Sequence, residues 1–112
     1  MKRDPKAYLF DIREAVDHII EFTGETSPEE FLTNELIKAA VERKFAIIGE
    51  ALMRIRDEYP EILAQITDSE KIIGFRNVLV HGYDIIDPAT VWSAITKNLP
   101  VLSKEVSALL QP

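Results

Sequence analysis

Apolar residues recur at three- and four-residue spacing along almost the whole chain, and sustained period-two alternation is nearly absent. Tyr8, Leu9, Ile12, Ala15, Val16, Ile19 and Ile20 form one stripe, with Asp11, Glu14, Asp17 and Glu21 on the wet side. Asp4-Pro5 reads as an N-cap followed by proline at the first helical position, and Gly24 as a stop. Together they predict a helix over 5–23. Ser27-Pro28-Glu29-Glu30 is a capping box that opens a short helix holding Phe31 and Leu32. Asn34 caps a long helix over 35–58, whose stripe runs from Leu36 and Ile37 to Leu52 and Ile55. Tyr59-Pro60 ends it, because the residue before a proline avoids the α region. Residues 60–68 read as a connector with one turn, and Asp68 as the cap of a helix over 69–81 that Gly82 breaks. Asp87-Pro88 opens a further helix carrying Val91, Trp92 and Ile95. Pro100 is expected to kink or split it before a last amphipathic piece from Val101 to Leu110. No Asn-Gly or Asp-Gly hairpin turn is present. The prediction is all-α: an up-and-down bundle of four main helices plus short ones, in one domain over 1–112.

Composition narrows the chemistry. The chain has no cysteine, so disulfides, thiolate zinc sites and a cysteine nucleophile are excluded. Two histidines are too few for a histidine-rich metal site. No apolar run approaches the about 20 residues of a membrane span, and the opening MKRDPKAYLF lacks the apolar core of a signal peptide. The expected setting is the reducing cytoplasm, away from membranes. Net charge is −6, which argues against a broad nucleic-acid-coating face. The charge is uneven: residues 7–35 carry eight acids and one base, whereas residues 36–83 carry seven of each. An RNA site would therefore be local and lie in the second region.

The helix over 69–81 breaks its own pattern. Arg76 falls about 40° from Ile72, in the middle of the face formed by Ile72, Ile73, Phe75, Leu79 and Val80. A guanidinium there needs a carboxylate, a partner chain or a phosphate, because an unpaired buried charge is costly. It reads either as an ion-paired structural arginine or as an anion clamp. His81 closes the helix, where it can bond free carbonyls or do acid–base work. In an unbroken helix it points about 140° away from Arg76. The two share a site only if the chain turns at Gly82 or a second protomer supplies one of them. Gly49 and Gly74, both in mid-helix, suggest that the two helices approach closely, which would let Glu50 reach Arg76. His18, between an apolar and an acidic face, reads as structural.

Arg76-Asn77-Val78-Leu79-Val80-His81-Gly82-Tyr83 is Arg, four residues, His, one residue, Tyr. It resembles the Rx4HxY signature of HEPN-domain ribonucleases. Taken in order, YLFDIREAVDHIIEFT, SPEEFLTNE, IIGEAL, IIGFRNVLVHGY and VWSAITKNLPVL resemble the HepT-like family over about residues 5–105. Glycine between His81 and Tyr83 is a mild departure, since the family often has a larger residue there.

The resemblance implies a toxin of a type VII-like toxin–antitoxin pair, acting as a homodimer with both motifs facing a shared cleft. The implied activity is metal-independent endoribonuclease cleavage without a cofactor. Arg76 and His81 take the catalytic positions, and Asn77 and Tyr83 the substrate-binding or orienting ones, with Glu50 added from the helix geometry above. A cognate MntA-like nucleotidyltransferase antitoxin, using ATP as AMP donor, is implied to silence the toxin by AMP transfer to Tyr83. The acidic net charge leaves a second reading open: a catalytically inactive HEPN-type module that holds a nucleotidyltransferase or nucleotide.

Overall fold

The computed structural model describes residues 2–82 and 87–111. Among the described residues, seven α-helices and one π-helical turn follow one another: α1 Pro5–Thr23, α2 Pro28–Thr33, α3 Glu35–Glu58, α4 Pro60–Leu63, α5 Ser69–His81, α6 Pro88–Ser93, the π turn Ala94–Asn98 and α7 Leu99–Leu110. No strand occurs among the described residues. The all-α expectation holds, and the helix bounds match the capping signals that predict them. Asp4 accepts from the Lys6 N–H, Ser27 from Glu30 and Asn34 from Ile37, each satisfying a free donor at a helix start.

The central helix is α3. It packs against α1 on one side and α5 on another, and α7 lies against α1. Ile12, Val16 and Ile19 of α1 are fully buried with Val41, Ile48, Leu52 and Ile55 of α3 and Leu102 and Val106 of α7. Phe45 meets Phe75 of α5 edge to face at 5.1 Å between ring centroids, an arrangement that favours aromatic pairs beyond simple area burial.

Two local expectations are corrected. Asp68 occupies the position before α5, but its side chain makes no capping bond, and its backbone adopts the left-handed conformation at φ 57°. The turn is held from the far end of the chain instead: Glu105 of α7 accepts from the Thr67 N–H at 2.9 Å and from its hydroxyl at 2.6 Å. Of the two outcomes expected at Pro100, a kink or a split, the split does not occur. Helix runs without interruption from 88 to 110, and the π turn precedes the proline. The Leu99 N–H reaches Ala94 O, five residues back. Widening the helix by one residue removes the clash between a proline ring and the carbonyl four residues earlier.

Candidate active site

Gly49 sets the site. It is buried on α3 where α5 crosses, and the side-chain stem of Arg76 lies on it: a methyl at position 49 would overlap Arg76 Cβ and Cγ and sit 3.2 Å from Cδ. The missing Cβ is a notch through which the arginine stem passes. One residue further along α3, Glu50 Oε2 accepts from Arg76 Nη2 at 3.4 Å, while Asn77 Oδ1 accepts from Nη1 at 3.1 Å. The sequence expectation that Glu50 reaches Arg76 is met. Its explanation by two glycines is half right, because Gly74 faces open space with nothing within 4 Å.

Arg76 sits in an apolar face, as its position on the helical wheel predicts. Its side chain is 18% exposed, and Ile72, Ile73 and Leu79 around it are buried. Val80 departs from that face: it is 42% exposed and lines a groove beside Arg76. Glu50 also pairs with Arg54 at 3.1 Å, so one carboxylate bridges two guanidinium groups. The Arg76 Nε is buried with no acceptor in the described chain. Stem, Glu50 and Asn77 thus fix the guanidinium from three directions. A planar donor fork held this way suits a phosphate or a developing phosphorane charge.

His81 is exposed on the last turn of α5, and Gly82 ends the helix with its N–H on Val78 O. The helix stays regular through His81, so the chain does not turn to bring the imidazole back to Arg76. Arg76 lines the groove and His81 does not. Tyr83 lies outside the described residues. His18 stacks on Phe22 at 6.0 Å between ring centroids, far from these groups in sequence and without an acidic partner among the described residues. Among the described residues no group of three or more His, Cys, Asp or Glu converges as metal ligands, and no helix is long and apolar enough to cross a membrane.

The groove itself was not legible in the sequence. It has a volume of about 940 Å³ and runs along α3, closed on one side by the N-terminal arm. Lys2 donates to Glu58 O at 3.3 Å and the Tyr59 hydroxyl to Arg3 O at 2.7 Å, which pins the arm to the end of α3. Tyr8 donates to Glu58 Oε2 at 2.8 Å. That bond to the carboxylate, with burial and the Glu58 charge, raises the Tyr8 pKa and keeps the phenol a donor. Arg43 and Arg54 also line the groove. The available signal was spacing: Arg43, Ile47, Glu50 and Arg54 share one face of α3.

A family model, described as ribonuclease HepT-like, matches residues 12–109. The chain is 39% identical over 105 residues to "Putative RNase MJ1380" of Methanocaldococcus jannaschii, covering 94% of this chain and 95% of that one. It is 39% identical to "Putative RNase MJ1216" of the same organism, over 98% of this chain and 90% of the relative. It is 35% identical to "Probable ribonuclease HepT" of Thermococcus cleftensis, over 97% and 98% of the two chains. No solved structure matches.

Proposed function

From the premise that this chain belongs to the HepT-like ribonuclease family, we propose that it is a metal-independent endoribonuclease acting as the toxin of a toxin–antitoxin pair. One observation carries the reading. Arg76 is locked over Gly49 with its guanidinium held at a groove, while His81 stands exposed five residues later on the same helix.

The chemistry follows from the substrate. RNA carries its own nucleophile, the 2′-hydroxyl. A histidine takes its proton, the oxygen attacks phosphorus, and the bond to the 5′-oxygen breaks as that oxygen receives a proton. The products are a 2′,3′-cyclic phosphate and a 5′-hydroxyl. No water needs activating, so the reaction does not require a metal. Arg76 meets the added charge on the phosphorane, and Asn77 and Glu50 hold it in place. Because α5 stays helical, Arg76 and His81 point about 140° apart, and a two-fold homodimer is the simplest way to bring one chain's His81 to the other's Arg76. Two histidines in one cleft also provide one base and one acid.

Incubating RNA with the protein in EDTA and analysing the product ends tests this directly. The expected result is cleavage that leaves 2′,3′-cyclic phosphates. No cleavage by unmodified protein, or 3′-hydroxyl ends, overturns it. The net charge of −6 favours a second reading, an inactive module that holds a nucleotidyltransferase, and absence of cleavage moves the weight there.

Silencing belongs to the same proposal. The Tyr83 hydroxyl attacks the α-phosphorus of ATP on a nucleotidyltransferase antitoxin, pyrophosphate leaves, and the phenolic proton is lost. An AMP there adds bulk and one negative charge close in sequence to Arg76, blocking RNA by occupancy and repulsion. Tyr83→Phe is expected to abolish the mass gain of about 329 Da per AMP on co-expression with the antitoxin. A gain that persists in this variant refutes the assignment.

A further inference from the structure

The groove has a charge balance opposite to that of the chain. Lys2, Arg3, Arg43, Arg54 and Arg76 line it against only Asp11, Glu50 and Glu58, in a chain of net charge −6. The three acids are already engaged. Asp11 pairs with Arg3 at 3.1 Å, Glu50 with Arg54 and Arg76, and Glu58 accepts from Tyr8. Arg43 has no carboxylate partner among the described residues and is exposed. Arg76 crosses α3 at Gly49, between Arg43 six residues before and Arg54 five residues after. At about 1.5 Å per residue, these lie about 9 Å and about 7.5 Å along the helix on either side of the crossing. Flexible arginine side chains at such intervals reach successive phosphates of an extended strand. Between them the lining is apolar, with Ala46, Ile47 and Ala51, which suits the faces of unstacked bases better than the charged backbone of a duplex.

We propose that this groove is a binding track for single-stranded RNA, with Arg43 and Arg54 holding the phosphates that flank the linkage presented to Arg76. The track rests on the ribonuclease reading, and it names Arg43 as a substrate-binding residue for that reaction. The local positive line also accounts for how an acidic protein can hold a polyanion.

Binding is measured with a fluorescent, short, pyrimidine-rich 2′-O-methyl strand, which lacks the nucleophile and cannot be cut, titrated over a range of salt. Arg43→Gln is expected to weaken binding about five- to tenfold at low salt. It is also expected to flatten the slope of log K against log salt by about 0.7, the signature of one lost single-strand phosphate contact. Arg43→Lys keeps the slope. Lys97→Gln makes the same change in net charge outside the groove and keeps both affinity and slope. A duplex of the same sequence binds at least about tenfold more weakly than the single strand. The proposal is overturned if Arg43→Gln binds with the wild-type slope, if Lys97→Gln lowers affinity equally, if duplex and single strand bind alike, or if no RNA binds. Cleavage of ordinary RNA is read in parallel. Cleavage with an unchanged Arg43→Gln slope defeats the track alone, whereas the expected slopes without cleavage defeat the ribonuclease reading alone.

Discussion

His81→Ala is expected to remove RNA cleavage while leaving the fold intact. The ring is exposed at the end of α5 and makes no hydrogen bond among the described residues. Substitution at such a surface position changes stability by about 0.5 kcal/mol or less, so the melting temperature should move by no more than about 4 °C. Losing a general acid or base costs about 10²- to 10⁴-fold in rate. Single-turnover cleavage in EDTA beside a thermal melt separates the two effects. A rate within about threefold of wild type, or a collapse of the melting temperature, removes His81 from the mechanism. Arg76→Ala is a poorer probe, because the arginine stem fills the space over Gly49 and its loss leaves a hollow between α3 and α5 and takes from Glu50 one of its two guanidinium partners.

The parts of this fold that could be read in advance are those fixed by local chemistry. Asp4-Pro5, Ser27-Pro28 and Asn34 each declare a helix start, and each side chain makes the expected bond. The wheel position of Arg76 needs only the helical period. The readings that failed depend on contacts distant in sequence or on backbone choices with no residue signature. Asp68 resembles a cap, but Glu105, 38 residues from Thr67, holds that turn. Gly74 and Gly49 are the same residue type in the same kind of helix, and only the packing of α5 on α3 separates a notch from an exposed position. The groove exists because Lys2 and Arg3 fold back onto the end of α3, across more than 50 residues of chain. The π turn before Pro100 follows from proline chemistry, but nothing in the sequence says whether the helix widens or breaks.

The two mid-helix glycines provide the sharpest test of this geometry, because propensity and packing predict opposite outcomes for Gly49. By propensity alone, alanine at either position gains about 1 kcal/mol over glycine. At Gly74 nothing lies within 4 Å, so Gly74→Ala should keep that gain, raise the melting temperature by several degrees and leave cleavage unchanged. At Gly49 the new methyl overlaps Arg76 Cβ and Cγ. Cβ is bonded directly to the α5 backbone, so a change of rotamer can move Cγ but not Cβ, and α3 and α5 have to separate. Overpacking of this kind costs about 1–3 kcal/mol, which exceeds the propensity gain over most of that range. The separation also carries the guanidinium away from Glu50, and a displacement of about 1 Å at a reacting group can cost about 10²-fold in rate. Gly49→Ala is therefore expected to melt lower than wild type and to lose most of its cleavage, while Gly74→Ala melts higher. If Gly49→Ala melts as high as Gly74→Ala and cuts RNA at the wild-type rate, the arginine does not thread over Gly49, and its placement at the groove must come from elsewhere.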